Sequence, residues 1–129
     1  NKQSVSKEAF SYIQKANFMI LIPSIAVYSE LLNTNFFKRG NKKTKIDSLE
    51  KLLKLEIIRM IDDSVYRDEA LTITLKEGKR CRNISFVDNI IRLIARDLKN
   101  DIKFFIGFDK ILLRECEKYV TIYEKCYQA

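Results

Sequence analysis

Apolar positions along the chain alternate between a helical rhythm and short unbroken runs. Ala9, Phe10, Tyr12 and Ile13 are spaced as on one helix face, which predicts a helix over 7–16 with Asn17 as its stop. The run from Phe18 through Ile22 is short and wholly apolar, as in a strand buried on both faces. Pro23 and Ser24 open the next element, and Ser24 is suited to accept a bond from an orphan backbone N–H. Ile25, Tyr28, Leu31 and Leu32 give that helix its apolar stripe and Phe36 extends it, so it is expected to end near Phe37. A basic connection follows over 38–45, and Asp47 with Ser48 starts a short helix through Leu53. Residues 55–61 fit strand or helix; the strand is preferred because Asp62 and Asp63 follow as a capping pair for a helix over 62–76, which Gly78 ends.

Past a basic loop at 78–82, Ser85-Phe86-Val87-Asp88 has the form of a capping box, in which Ser caps the helix and the acid bonds back. The helix it opens carries Val87, Ile90, Ile91, Ile94 and Leu98 on one face. Asn100-Asp101 breaks it. A third strand is predicted over 103–106 with Gly107 as its end, then a helix from Asp109 to about Glu117, then an edge strand over 119–123. Strands separated by helices predict an α/β fold, a mostly parallel sheet flanked by helices. Ligands in such folds gather beyond the carboxyl ends of the strands, where Ser24, Asp62 and Asp109 fall.

A length of 129 residues suits one domain, and three Gly with one Pro argue against an all-β sandwich. The net charge of +7 favours an anionic partner, with nucleic acid first and a membrane surface second. No segment is long and apolar enough to span a bilayer, so no membrane partner is expected. The absence of His excludes serine–histidine and cysteine–histidine chemistry and imidazole metal sites. Metal, if used, must meet hard oxygen ligands, which suit magnesium or manganese. Cys81, Cys116 and Cys126 are too scattered for a disulfide framework or a zinc knuckle, and point to a reducing, cytoplasmic setting. Asn83-Ile84-Ser85 fits a glycosylation acceptor, without meaning in that setting.

Glu30, Asp88 and Asp109 stand beside apolar residues, where an acid is costly unless paired or metal-bound. Each also has an ordinary reading: Glu30 as a boundary residue, Asp88 as the capping-box acid, Asp109 as an N-cap. Taken together, their surroundings resemble the PIN-domain family. Ile22-Pro23-Ser24 leading to Glu30-Leu31-Leu32 is similar to its second segment, Ser85-Phe86-Val87-Asp88 to its third, and Phe105-Ile106-Gly107-Phe108-Asp109-Lys110 to its fourth. The resemblance runs from about Lys7 to Tyr123 and implies a PIN-like three-layer sandwich. It further implies that Glu30, Asp88 and Asp109 bind Mg2+ or Mn2+ and hydrolyse RNA phosphodiester bonds, with Ser85 capping the helix beside the site. Small members of this kind include VapC-like ribonuclease toxins of toxin–antitoxin pairs, which implies an antitoxin protein and a homodimer as partners.

The family opens with a strand ending in an Asp, which the residues before Glu8 do not supply. The expectation is one PIN-like domain over 1–129 whose first strand and Asp lie ahead of Asn1; the alternative is a degenerate, non-catalytic module binding RNA or a protein. The fourth segment also departs, with Gly107 where Thr or Ser is usual. For RNA contact the candidates are Lys42 and Lys43 in one basic cluster, Arg80 and Arg82 in another, and Arg92 one turn after Asp88. Arg92 and Arg96 have the alternative of pairing with nearby acids.

Overall fold

The computed structural model describes residues 2–81 and 84–128, so Arg82 and Asn83 lie outside the described residues. The chain is α/β, and it divides into two compact units, one of residues 13–63 and one of residues 1–12 with 64–129.

Helix α1 (Lys2–Ala16) begins the chain. Asn17 ends it as expected, in the left-handed region at φ 60°. Its N–H donates to the Gln14 carbonyl at 3.3 Å and the Phe18 N–H to the Ile13 carbonyl at 3.1 Å, the paired closure that satisfies the last carbonyls of a helix.

In the unit of residues 13–63, strand β1 (Ile20–Pro23) lies parallel to β2 (Ile58–Ile61), with Ile20 opposite Ile58 and Pro23 opposite Ile61. Residues 55–61 thus contain the strand preferred from sequence. The helix expected from Ser24 to Phe37 is interrupted. A π-helical segment (Ala26–Leu31) is followed by a break and then α2 (Asn35–Lys38). The break is local competition for backbone bonds. The Thr34 hydroxyl donates to the Leu31 carbonyl at 2.7 Å and the Asn33 amide to the Ser29 carbonyl at 2.9 Å, while Thr34 itself turns extended. Helix α3 (Lys42–Leu53) starts earlier than predicted, because Asn41 rather than Asp47 caps it, accepting from the Thr44 N–H at 3.3 Å.

In the other unit, a 3-10 turn (Ser64–Tyr66) leads into α4 (Arg67–Lys79). The helix begins later than expected and runs through Gly78 rather than stopping there. Asp68 and Glu69 occupy its first turn, where acids suit the positive helix end. Helix α5 (Phe86–Arg96) is the best-patterned element: Val87, Ile90, Leu93, Ile94 and Ala95 are buried. It stops before Leu98, which sits in a 3-10 turn (Leu98–Asn100) and is 92% exposed rather than part of the apolar face. Asp101 then turns left-handed at φ 47°. Strand β3 (Phe104–Phe105), helix α6 (Lys110–Cys116), strand β4 (Thr121–Ile122) and a 3-10 turn (Glu124–Gln128) complete the chain. Strands β3 and β4 pair in parallel, Phe104 with Thr121 and Phe105 with Ile122. Their inner side joins a core of Ala95, Leu112, Leu113, Cys116, Ile122 and Cys126, with Ile91 and Phe105 packed on it. Burial pushes the Cys116 thiol up to about 12, so it behaves as a small apolar residue.

In place of the single mostly parallel sheet expected, the described residues hold two separate parallel pairs, β1 with β2 and β3 with β4.

Candidate functional site

The three candidate acids occupy different local settings. Glu30 lies on the π-helical segment after β1, in the unit of residues 13–63, and its side chain is exposed. Asp88 and Asp109 belong to the other unit. Asp88 is half-buried in the first turn of α5, and its N–H donates to the Ser85 hydroxyl at 3.1 Å, so Ser85 caps the helix as expected. Asp109 caps α6. Its Oδ1 accepts from the Ile111 N–H at 2.9 Å and the Leu112 N–H at 3.3 Å. Among the described residues, no group of three or more His, Cys, Asp or Glu is arranged to hold a metal ion.

Gly107 has a physical reason. A Cβ there would meet Cε1 of Phe105 at 2.9 Å, closer than side chains ordinarily come. Phe105 is packed on the core, so its ring fills the space that Thr or Ser would need. Lys110, next to Asp109, is committed to structure: its Nζ donates to the Cys126 carbonyl at 3.1 Å and the Tyr127 carbonyl at 3.0 Å, closing the last 3-10 turn.

Arg92 takes its alternative role. It donates to Glu115 of α6 at 3.1 Å, with the two side chains 13% and 14% exposed. Lys118 joins the same carboxylate at 3.0 Å. The Lys118 bond, then the Arg92 charge, hold the Glu115 carboxyl below its ordinary value. Arg96 likewise pairs with Glu69 of α4 at 2.7 Å. Lys42 and Lys43, in the first turn of α3, are exposed, as is Arg80 just past α4.

Two features escaped sequence reasoning. Asp63 also bonds far from the helix that follows it in sequence. Fully buried, it accepts from the Ile25 N–H at 2.8 Å and the Ser24 hydroxyl at 3.3 Å, so it supports the start of the Glu30 helix from the end of the neighbouring strand. Secondly, an open cleft of about 510 Å³ is lined by Tyr66, Glu69, Arg96, Asp97 and Lys99. There the Tyr66 hydroxyl donates to Asp97 at 2.7 Å and accepts from the Asn100 amide at 2.9 Å. Burial and the bond to Asp97 raise the Tyr66 phenol, while the Tyr66 and Lys99 bonds lower the Asp97 carboxyl. No sequence spacing joins Tyr66 to Asp97, because the contact is made between elements.

Comparison with family models, with characterised proteins and with solved structures finds no match for this chain. Among the described residues no helix is long and apolar enough to cross a membrane.

Proposed function

We propose that the chain carries a PIN-like α/β sandwich and acts as a metal-dependent endoribonuclease that hydrolyses RNA phosphodiester bonds. The observation that carries the reading is Asp109. It follows β3 at the carboxyl end of a parallel strand pair, where ligands gather in such folds. Its Oδ1 is pinned by two backbone N–H groups, so the carboxylate has a set direction. The half-buried Asp88 in the same unit is the second acid. Glu30 rests on a π-helical segment, a rare geometry that recurs at functional positions.

Carboxylates without imidazole or thiolate partners are the donor chemistry of Mg2+ or Mn2+. Magnesium is commonly held by one or two carboxylates with substrate phosphates and water completing its shell. Asp88 and Asp109, in one unit, would be such donors. The metal would supply an activated water and neutralise charge on the phosphate. Ser85 fixes the first turn of α5 and so the height of Asp88 on it. Arg92 is occupied by Glu115, so phosphate contact falls instead to exposed cations such as Lys42, Lys43 and Arg80.

A second reading, a non-catalytic module binding RNA or a protein, is favoured by one observation: no group of three metal-ligating side chains is arranged for metal among the described residues. The two separate on cleavage of labelled single-stranded RNA with Mn2+ by the wild type and by Asp88→Asn. The nuclease reading expects cleavage that Asp88→Asn removes; equal cleavage by both proteins rejects it.

A further inference from the structure

We infer that the corner between α2 and α3 is a docking surface for single-stranded nucleic acid, in which Phe36 stacks on a base and Lys38, Arg39, Lys42 and Lys43 contact phosphates. The inference rests on the RNA reading above and names the surface that would hold the strand.

The local composition is one-sided. Between Phe36 and Ile46 the chain carries five cations and no acid. Lys38 closes α2, Arg39 and Gly40 make the corner, and Lys42 and Lys43 open α3, all of them exposed. Helix α3 has no acid in its first turn, so its positive end and the two lysines repel one another, and a nearby anion relieves both.

The corner is also held in shape. Lys45 Nζ donates to the Phe36 carbonyl at 2.6 Å and the Arg39 carbonyl at 3.0 Å, which closes the free end of α2 from the following helix. Gly40 allows the turn with φ 72°. The same ammonium lies over the Phe36 ring, 4.3 Å from its centre, and the Phe36 and Phe37 rings stand nearly perpendicular with centres 5.0 Å apart. Phe37 is buried, whereas Phe36 remains 62% exposed although its backbone and ring are fastened. With Lys45 over one face, the exposed remainder of the ring, amid cations, offers apolar surface on which an unstacked base can pack. A duplex keeps its bases stacked and cannot use it. An anionic membrane would share the cations, but α2 has only four residues and presents no broad apolar helix face.

The test measures binding of the full chain to labelled oligo-U, oligo-dT and an RNA duplex by fluorescence anisotropy in EDTA, across a salt series. Phe36→Ala is expected to weaken both single strands about tenfold, with Phe36→Tyr restoring them. Lys42→Gln with Lys43→Gln is expected to lower the salt slope by about 1.4. An unchanged thermal melt identifies these as surface effects. Affinity indifferent to Phe36→Ala, duplex bound as tightly as single strand, or binding only to anionic vesicles overturns the inference. Cleavage is scored separately with Mn2+. Phe36-dependent binding without cleavage retains this surface and rejects the nuclease, and Asp88-dependent cleavage with Phe36-independent binding does the reverse.

Discussion

Arg92 of α5 and Glu115 of α6 form an ion pair at 3.1 Å, with little of either side chain reaching solvent. The pair fastens two helices that share the core of their unit. Removing Arg92 leaves Glu115 with Lys118 as its remaining cation. Arg92→Ala is therefore expected to lower stability by about 1.5 kcal/mol, the loss of one hydrogen bond between charged groups, and the paired change Arg92→Met with Glu115→Leu to recover most of it. Urea unfolding measures both. If Arg92 instead serves RNA, Arg92→Ala leaves unfolding unaltered and reduces the salt dependence of binding.

Glu115 also makes stability depend on pH. Its folded carboxyl titrates below the ordinary value of 4.5, chiefly through Lys118 and also through Arg92. A carboxyl lowered by folding contributes stability that is full above the unfolded value and lost as pH falls through the folded one. The stability gap between wild type and Glu115→Gln should thus be widest near neutrality and narrow below pH 4.5. Thermal melts from pH 7 to 3 test this, and a gap that stays constant or widens in acid excludes it.

The sequence made the stop of α1 and the starts of α5 and α6 readable, because Asn17, Ser85 and Asp109 are local signals, whereas the early start of α1 and the early end of α5 were not read. Asn17 and Asp101 are short polar residues able to turn left-handed, and each sits where a helix or helical turn ends. The failures also have local or long-range causes. Asn33 and Thr34 held the signal for the break after the Glu30 segment, but the apolar stripe running on to Phe36 outweighed it. The cap of α3 at Asn41 was hidden in a stretch whose basic character suggested a connection. Asp63 is different in kind, since its partners Ser24 and Ile25 lie 39 and 38 residues away. No chain-local pattern records such a bond, nor which strands become neighbours. Asp88 and Asp109 were legible as acids at helix starts, but Arg92 and Lys110 were legible only as cations, and their partners Glu115 and the Cys126 and Tyr127 carbonyls follow from packing.

Asp63 supports the start of the helix that carries Glu30. Asp63→Ala leaves the half-buried Ile25 N–H and Ser24 hydroxyl without that acceptor, at an expected cost of about 1 kcal/mol. Asp63→Asn keeps one carbonyl oxygen for the Ile25 N–H and should cost less. Chemical denaturation ranks the three proteins. Equal stability for wild type and Asp63→Ala would show that this bond is dispensable.

Asp109→Asn separates the two roles of Asp109. As a helix cap, Asn is about as good as Asp, and its carbonyl oxygen can still accept from the Ile111 and Leu112 N–H groups. Stability should therefore change by less than about 0.5 kcal/mol, while Asp109→Ala costs about 1 kcal/mol. As a metal donor, however, the amide loses the negative charge that a hard cation needs. Calorimetric titration with Mn2+ is expected to show weaker binding to Asp109→Asn than to wild type at matched melting temperatures. Equal Mn2+ affinity in the two proteins would assign Asp109 to the helix cap alone.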